Sequence, residues 1–248
     1  MGPDFRPYMC RINDGLASVM VNLGLRDQAP VPLKPWLLWV WVYMLSPRPD
    51  CLSSSAEAPR LYEVEDALEP QLGQSIGAVF CGRITTENRR EFYFYGDGPG
   101  RFEATLRQTM EKFPEYKFDF GVKDDPTWSQ YRDVLYPGPY DLERIKNGDL
   151  LAVLTAKGDN HKIARRVMHW AYFLSPEDRS LFAKAAVDRG FNVDSEYEVE
   201  GDRRFAISSY RVQSIEQNNI DDTTIELFHL AEDFNGSYDG WETQVTTD

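Results

Sequence analysis

"VMHWAYFLSPEDRSLFAKAAVDRGFNV" (residues 167–193) is the stretch whose reading decides the fold. Its first eight residues alternate and are aromatic, the period-two pattern of a strand. The next sixteen, 175–190, carry the marks of a helix. Ser175 suits the N-cap, Pro176 the first helical position, and Glu177 and Asp178 the positive end of the dipole. Leu181, Phe182, Ala185 and Ala186 recur at helical spacing, and Gly190 fits the left-handed residue that closes a helix. The extended run "FNVDSEYEV" (191–199) completes a β-α-β block.

Toward the C-terminus, "EGDR" (200–203) turns that run into "RRFAISSYRV" (203–212), a hairpin. "SIEQ" (214–217) has capping-box spacing, and Ile220, Leu227, Phe228, Ala231 and Phe234 form a second helical stripe, which Gly236 ends. "YDGWETQV" (238–245) reads as the last strand. The order β-α-β-β-α-β is that of the ferredoxin-like split βαβ arrangement. The same order runs over 36–122: the strand "WLLWVWVYML", a helix over 54–72 with Pro59 in its first turn and Pro70 at its end, two strands around "TENR", a helix over 100–113, and the strand "YKFDFGV". A hairpin over 9–25, turning at Asn13-Asp14-Gly15, precedes it.

The expected fold is therefore α+β: two tandem ferredoxin-like sandwiches, antiparallel sheets with helices on one face, the N-terminal one elaborated by an extra hairpin. Residues 123–156 add a helix or irregular run and one more strand. "KGDNHKIARR" (157–166), polar and basic, reads as a linker between domains at 1–156 and 167–248.

The formal net charge of −13 is uneven: residues 1–166 hold 21 Lys and Arg against 23 Asp and Glu, residues 167–248 hold 6 against 17. An acidic surface argues against direct nucleic-acid contact and favours a protein partner with a basic face; it also serves solubility alone. Cys10, Cys51 and Cys81 are far apart and odd in number, which fits a reducing cytoplasm better than a disulfide framework. The N-terminal residues lack the basic-then-apolar order of a secretory signal, and the most apolar run is too short to span a bilayer. The expected setting is cytoplasmic, with no membrane.

No catalytic pattern stands out. His161, His169 and His229 are not at metal-helix spacing, "GDGPG" (96–100) lacks the Lys-Ser/Thr of a phosphate loop, and there is no Gly-x-Ser-x-Gly elbow. Neither catalytic nor metal nor cofactor-binding residues are assigned. Asp194, Glu196, Glu198, Glu200 and Asp202 recur every second residue, so a regular strand presents all five on one face. That face either binds a cationic partner or guards an edge strand. Trp241, with Tyr238, Asp239 and Gly240, either seals the sheet or anchors an interface. Arg11, Asn13, Asp14, Arg83, Asp125 and Arg132 are the polar residues of the N-terminal part that a cleft would use.

Residues 170–245 resemble the RraB family, bacterial protein inhibitors of ribonuclease E. The likeness lies in Leu174, Ser175 and Asp178 at the helix start, Lys184-Ala185-Ala186-Val187, Gly190-Phe191, Leu230-Ala231-Glu232, Phe234 and Tyr238-Asp239-Gly240-Trp241. Residues 9–140 resemble a bacterial domain family of unknown function often found ahead of such a unit, through "RINDGLA", "PWLLWVWVYML", "LYEVEDAL", "GRITTENRREFYFY" and "WSQYRDVLYP". The resemblance implies a non-catalytic regulator that binds an endoribonuclease. Two alternatives stand beside it: a hydrolase-like enzyme with its site in the N-terminal domain, and a structural domain pair forming a homodimer.

Overall fold

The structure, a computed structural model, describes residues 2–199 and 204–247. The chain divides into two compact units after Asp141, each an antiparallel sheet with helices on one face.

In the N-terminal unit, β1 (Phe5–Ile12) and β2 (Gly15–Asn22) form the hairpin read at Asn13-Asp14. Both turn residues have positive φ, the geometry of a tight two-residue hairpin. Then come β3 (Trp36–Tyr43), α1 (Ala58–Ile76), β4 (Val79–Thr86), β5 (Arg89–Gly96), α2 (Phe102–Met110) and β6 (Phe118–Asp124). The strands lie in the order β1-β2-β4-β5-β3-β6. Alternate residues of β3 and β5 (Leu38, Val40, Val42, Phe92, Phe94) meet Leu61, Val64, Leu68 and Leu72 of α1 and Leu106 and Met110 of α2 in one core. Pro70 lies inside α1, not at its end. The buried stripe that continues to Leu72 outweighs the backbone hydrogen bond that Pro70 removes.

β2 reaches β4 only because Gly82 carries no side chain. A Cβ there would stand 2.2 Å from the Met20 carbonyl oxygen, and its φ is 149°. After β6 the chain passes through a π-helical turn, Gln130–Leu135. The further strand expected over 123–156 is instead α3 (Pro139–Ala156). Leu151 and Leu154 bury against Val167, Ile215 and Ile220, a helical spacing that the short apolar run disguises as a strand.

The C-terminal unit begins within α3. β7 (Arg165–Phe173), α4 (Pro176–Asp188), β8 (Asn192–Val199), β9 (Arg204–Gln213), α5 (Gln217–Asp233) and β10 (Gly236–Thr243) follow, with strand order β10-β7-β9-β8. Phe173, Ile207, Phe182, Ala186, Leu227 and Leu230 form the core beneath α4 and α5. Ser175 caps α4, its Oγ accepting from the Asp178 amide at 3.0 Å. Ser214 does not cap α5: that helix starts at Gln217, and fully buried Ile215 holds the preceding chain against α3.

Residues 157–166, read as a linker, are built into this unit. The Asp159 side chain, wholly enclosed, receives two bonds from Arg165 at 2.7 and 2.9 Å and one from the Thr246 amide at 2.8 Å. Counted by compact unit, residues 142–248 hold 12 Lys and Arg against 20 Asp and Glu, and residues 1–141 hold 15 against 20. The acidic excess of the C-terminal unit is real but milder than a boundary at 167 suggests.

Candidate functional site

β8 is an edge strand, and most of its residues are exposed. A β-bulge between Val193 and Ser195 breaks its period. Of the five carboxylates expected on one face, the three described, Asp194, Glu196 and Glu198, are therefore divided, because one extra residue in the strand shifts its alternation. Asp194 turns to the face away from the helices, where it pairs with Arg166 of β7 and accepts from Ser208 at 3.3 Å. Glu196 lies on the other side and meets Arg179 of α4 at 3.0 Å. Glu198 stands opposite Phe205, on the Glu196 side. Glu200 and Asp202 lie outside the described residues.

The other expected cluster is also divided by a bulge, between Tyr238 and Gly240 of β10. Tyr238 is buried, its hydroxyl 2.9 Å from Nδ1 of His169. Burial and then the charge of Arg211 bring the His169 imidazole down to about 3, so it is neutral, and burial raises the Tyr238 hydroxyl. This pair is core, and Tyr238 is not available as an interface anchor. Trp241 is half-buried; its Nε1 donates to Oδ1 of Asn147 in α3 at 2.8 Å. Asn147 in turn donates to Asp221 and Thr224 of α5. Trp241 thus clamps β10 to α3.

Asp239 and Gly240 remain at the surface edge, and they join three side chains that the sequence reading did not single out. Trp170 and Tyr172 alternate with buried Ala171 and Phe173, so they project from the face of the sheet opposite α4 and α5. Tyr197 of β8 lies in the same row as Ala206 and Tyr172. These rings, with Asp239 and Glu242, line a shallow cleft of about 360 Å³. Arg204 already sits over the Tyr172 ring at 4.7 Å, and burial, then the charge of Asp239, raises the Tyr172 hydroxyl. The signal was present in the alternation of "MHWAYF", whose second face is as aromatic as the first.

The six polar residues of the N-terminal unit fall into separate settings. Arg11 donates to the Asp14 carbonyl at 2.9 Å and Asn13 to Glu87 at 3.4 Å, all at hairpin tips. Arg132 is exposed on the π-helical turn. Asp125 is a structural hub: it accepts from the Tyr95 hydroxyl and from the amides of Ser129 at 2.9 Å and Gln130 at 3.1 Å. Burial alone would raise its carboxyl, but the Tyr95 hydroxyl and these amides lower it to about 2. Fully buried Trp128 stacks on Tyr95 at 4.1 Å beside it. Arg83 is buried against Glu65 of α1, in a cleft of its own.

Among the described residues no group of three or more His, Cys, Asp and Glu side chains is placed to hold a metal ion, and no helix is long and apolar enough to cross a membrane. Comparison with solved structures returns a chain described as a glycine cleavage system transcriptional repressor, at 12% identity and TM-score 0.23, covering 84% of this chain and 98% of that one. An unknown protein from Galdieria sulphuraria is similar at 8% identity and TM-score 0.23, covering 86% and 99%. Likeness at that level carries no argument. No curated protein matches the chain. Two family models do match, side by side. Regulator of ribonuclease activity B covers residues 144–243, starting inside α3, so the leading helix is part of that likeness. The other spans residues 4–136, more than half of the chain, and the protein accordingly belongs to the Family of unknown function (DUF695), with a unit similar to the RraB family behind it.

Proposed function

We propose that the protein is a non-catalytic cytoplasmic regulator whose C-terminal unit docks a basic segment of another protein on its open sheet face. The observation that carries this reading is the row Trp170, Tyr172 and Tyr197, which lines a surface cleft beside the carboxylates of Asp239 and Glu242 and already holds Arg204 over one of its rings. Electron-rich ring faces next to carboxylates suit Arg and Lys side chains, and each desolvated cation–π contact contributes about 1–2 kcal/mol. The arrangement offers no base, nucleophile and oxyanion donor in one place, so its chemistry is that of recognition. The match to a regulator of ribonuclease activity supports an endoribonuclease of the ribonuclease E type as the partner. A second copy of the chain is a weaker occupant of the neighbouring β8 edge, because pairing β8 with itself would oppose like charges.

The test is inhibition. Full-length protein is titrated into ribonuclease E acting on a short RNA, at low and moderate salt. Dose-dependent inhibition that weakens with salt is expected. Tyr197→Ala combined with Asp239→Lys should raise the half-inhibiting concentration roughly tenfold, equivalent to about 1.4 kcal/mol. Inhibition that ignores both salt and these substitutions overturns the reading.

A further inference from the structure

We propose that the N-terminal unit binds the phosphate group of a small phosphorylated ligand, in the cleft where the β1–β2 hairpin extends the sheet past α1. The cleft measures about 310 Å³ and is lined by Arg48, Arg83 and Arg90, with Ser53, Thr85 and Tyr62 between them. All its lining residues belong to the N-terminal unit, and it shares none with the cleft of the C-terminal unit.

Arg90 is the decisive residue. It is 2% exposed, yet no carboxylate bonds to it. Its Nε donates to the Thr85 hydroxyl at 3.1 Å and its Nη2 to the Ser53 hydroxyl at 3.4 Å, while Nη1 is buried without any hydrogen-bond partner. The guanidinium lies over the Tyr62 ring at 4.8 Å. Burial, and next the charge of Arg83, lower Arg90 to about 10, with Glu65 and Tyr62 opposing the shift. It is still charged at neutral pH. A buried cation that no carboxylate bonds directly is unfavourable unless the site has a purpose for it.

The surroundings point to an anion as that purpose. Arg83 is buried and paired with Glu65, and its guanidinium shares the Tyr62 ring at 5.1 Å. Arg48, at the rim, is paired with Asp50. Three guanidinium groups around one cleft thus have two directly bonded carboxylate partners, which leaves the deepest cation without one of its own. The Ser53 and Thr85 oxygens accept from Arg90, so their hydroxyl hydrogens remain for an anion. Guanidinium forks match phosphate oxygens two at a time, and more than one fork favours a dianion over a carboxylate. Met9, Leu16 and Leu52 add apolar lining to the cleft, suited to the organic body that carries the phosphate.

The site is a product of the elaboration. Ser18 of β2 lies opposite Thr85 of β4, and Thr85 opposite Arg90 of β5, in one continuous row. Without the hairpin that row would end at β4 and the cleft would lose a wall.

Full-length protein is titrated by calorimetry with inorganic phosphate and, separately, with adenosine monophosphate, against chloride and acetate at equal ionic strength. Saturable binding of at least one phosphate species, absent for chloride and acetate, is expected. Tighter binding of the nucleotide would identify an organophosphate ligand, and equal binding free phosphate; either supports the proposal. Arg48→Ala, which removes an exposed side chain at the rim and none of the core, should weaken binding at least fivefold. Arg90→Met should abolish it while raising the melting temperature in the absence of ligand, since it removes a buried charge that no carboxylate bonds directly. No saturable binding of either probe, or binding unchanged in both variants, overturns the proposal.

Discussion

β4 and β8 hold the same place in their units. Each is the second strand of a β-α-β-β-α-β block, each is hydrogen-bonded to the third, and each carries a bulge, at Phe80/Gly82 and at Val193/Ser195. Yet β4 is almost wholly buried and β8 almost wholly exposed. The difference is the neighbour. β2 covers the outer side of β4, admitted by Gly82, whereas β8 ends its sheet. The covered strand carries Arg83, buried and paired with Glu65; the bare strand carries carboxylates that discourage a further strand. An equivalent position in two sheets becomes a ligand cleft in one and a charged edge in the other, according to what arrives beside it.

Breaking the cover should have the largest effect. Gly82→Ala places a Cβ against the Met20 carbonyl at a backbone angle that side chains avoid, and should destabilise the N-terminal unit by about 3 kcal/mol or more in urea unfolding. Gly240→Ala is the contrast: its φ is 142° but its Cβ would meet open space, so only about 1 kcal/mol of backbone strain is expected. Asp125→Ala comes next. It orphans two amides and the Tyr95 hydroxyl, a loss of about 2–4 kcal/mol.

The same carboxyl sets an acid limit. Its folded value, about 2, lies below its ordinary 3.8, so its contribution is complete above the ordinary value and is lost as pH falls toward 2. Acid unfolding of Asp125→Asn should therefore lack part of the wild-type pH dependence in that window. Smaller still is the capping contrast in the C-terminal unit. Ser175→Ala should lower stability by about 1 kcal/mol, and Ser214→Ala by less than about 0.5, because only Ser175 holds a helix amide.

The order of strands and helices was legible because local signals marked nearly every element: the Asn13-Asp14 turn, the Ser175-Pro176 helix start, the alternation of 167–174. What failed were places where tertiary packing overrode a local rule. Pro70 continued α1 because Leu68 and Leu72 were already committed to the core. The 150–154 run became helix because Leu151 and Leu154 needed the same partner surface. The candidate sites were less legible. Perfect alternation promised one face of carboxylates and one aromatic turn, and a bulge redirected each. No residue type announces such a bulge at Asp194. Arg83 was recognised, but Arg48 and Arg90 become its companions only through strand pairing across the sheet and a loop that returns over it.

The most direct test of the docking claim is the dissociation constant of the full-length protein for ribonuclease E, measured with the wild type and with Tyr197→Ala/Asp239→Lys at two salt concentrations. The expected result is binding that weakens with salt and falls about tenfold in the variant while its melting temperature stays within a few degrees of wild type. Equal affinity for both proteins, or no measurable complex at low salt, would contradict it.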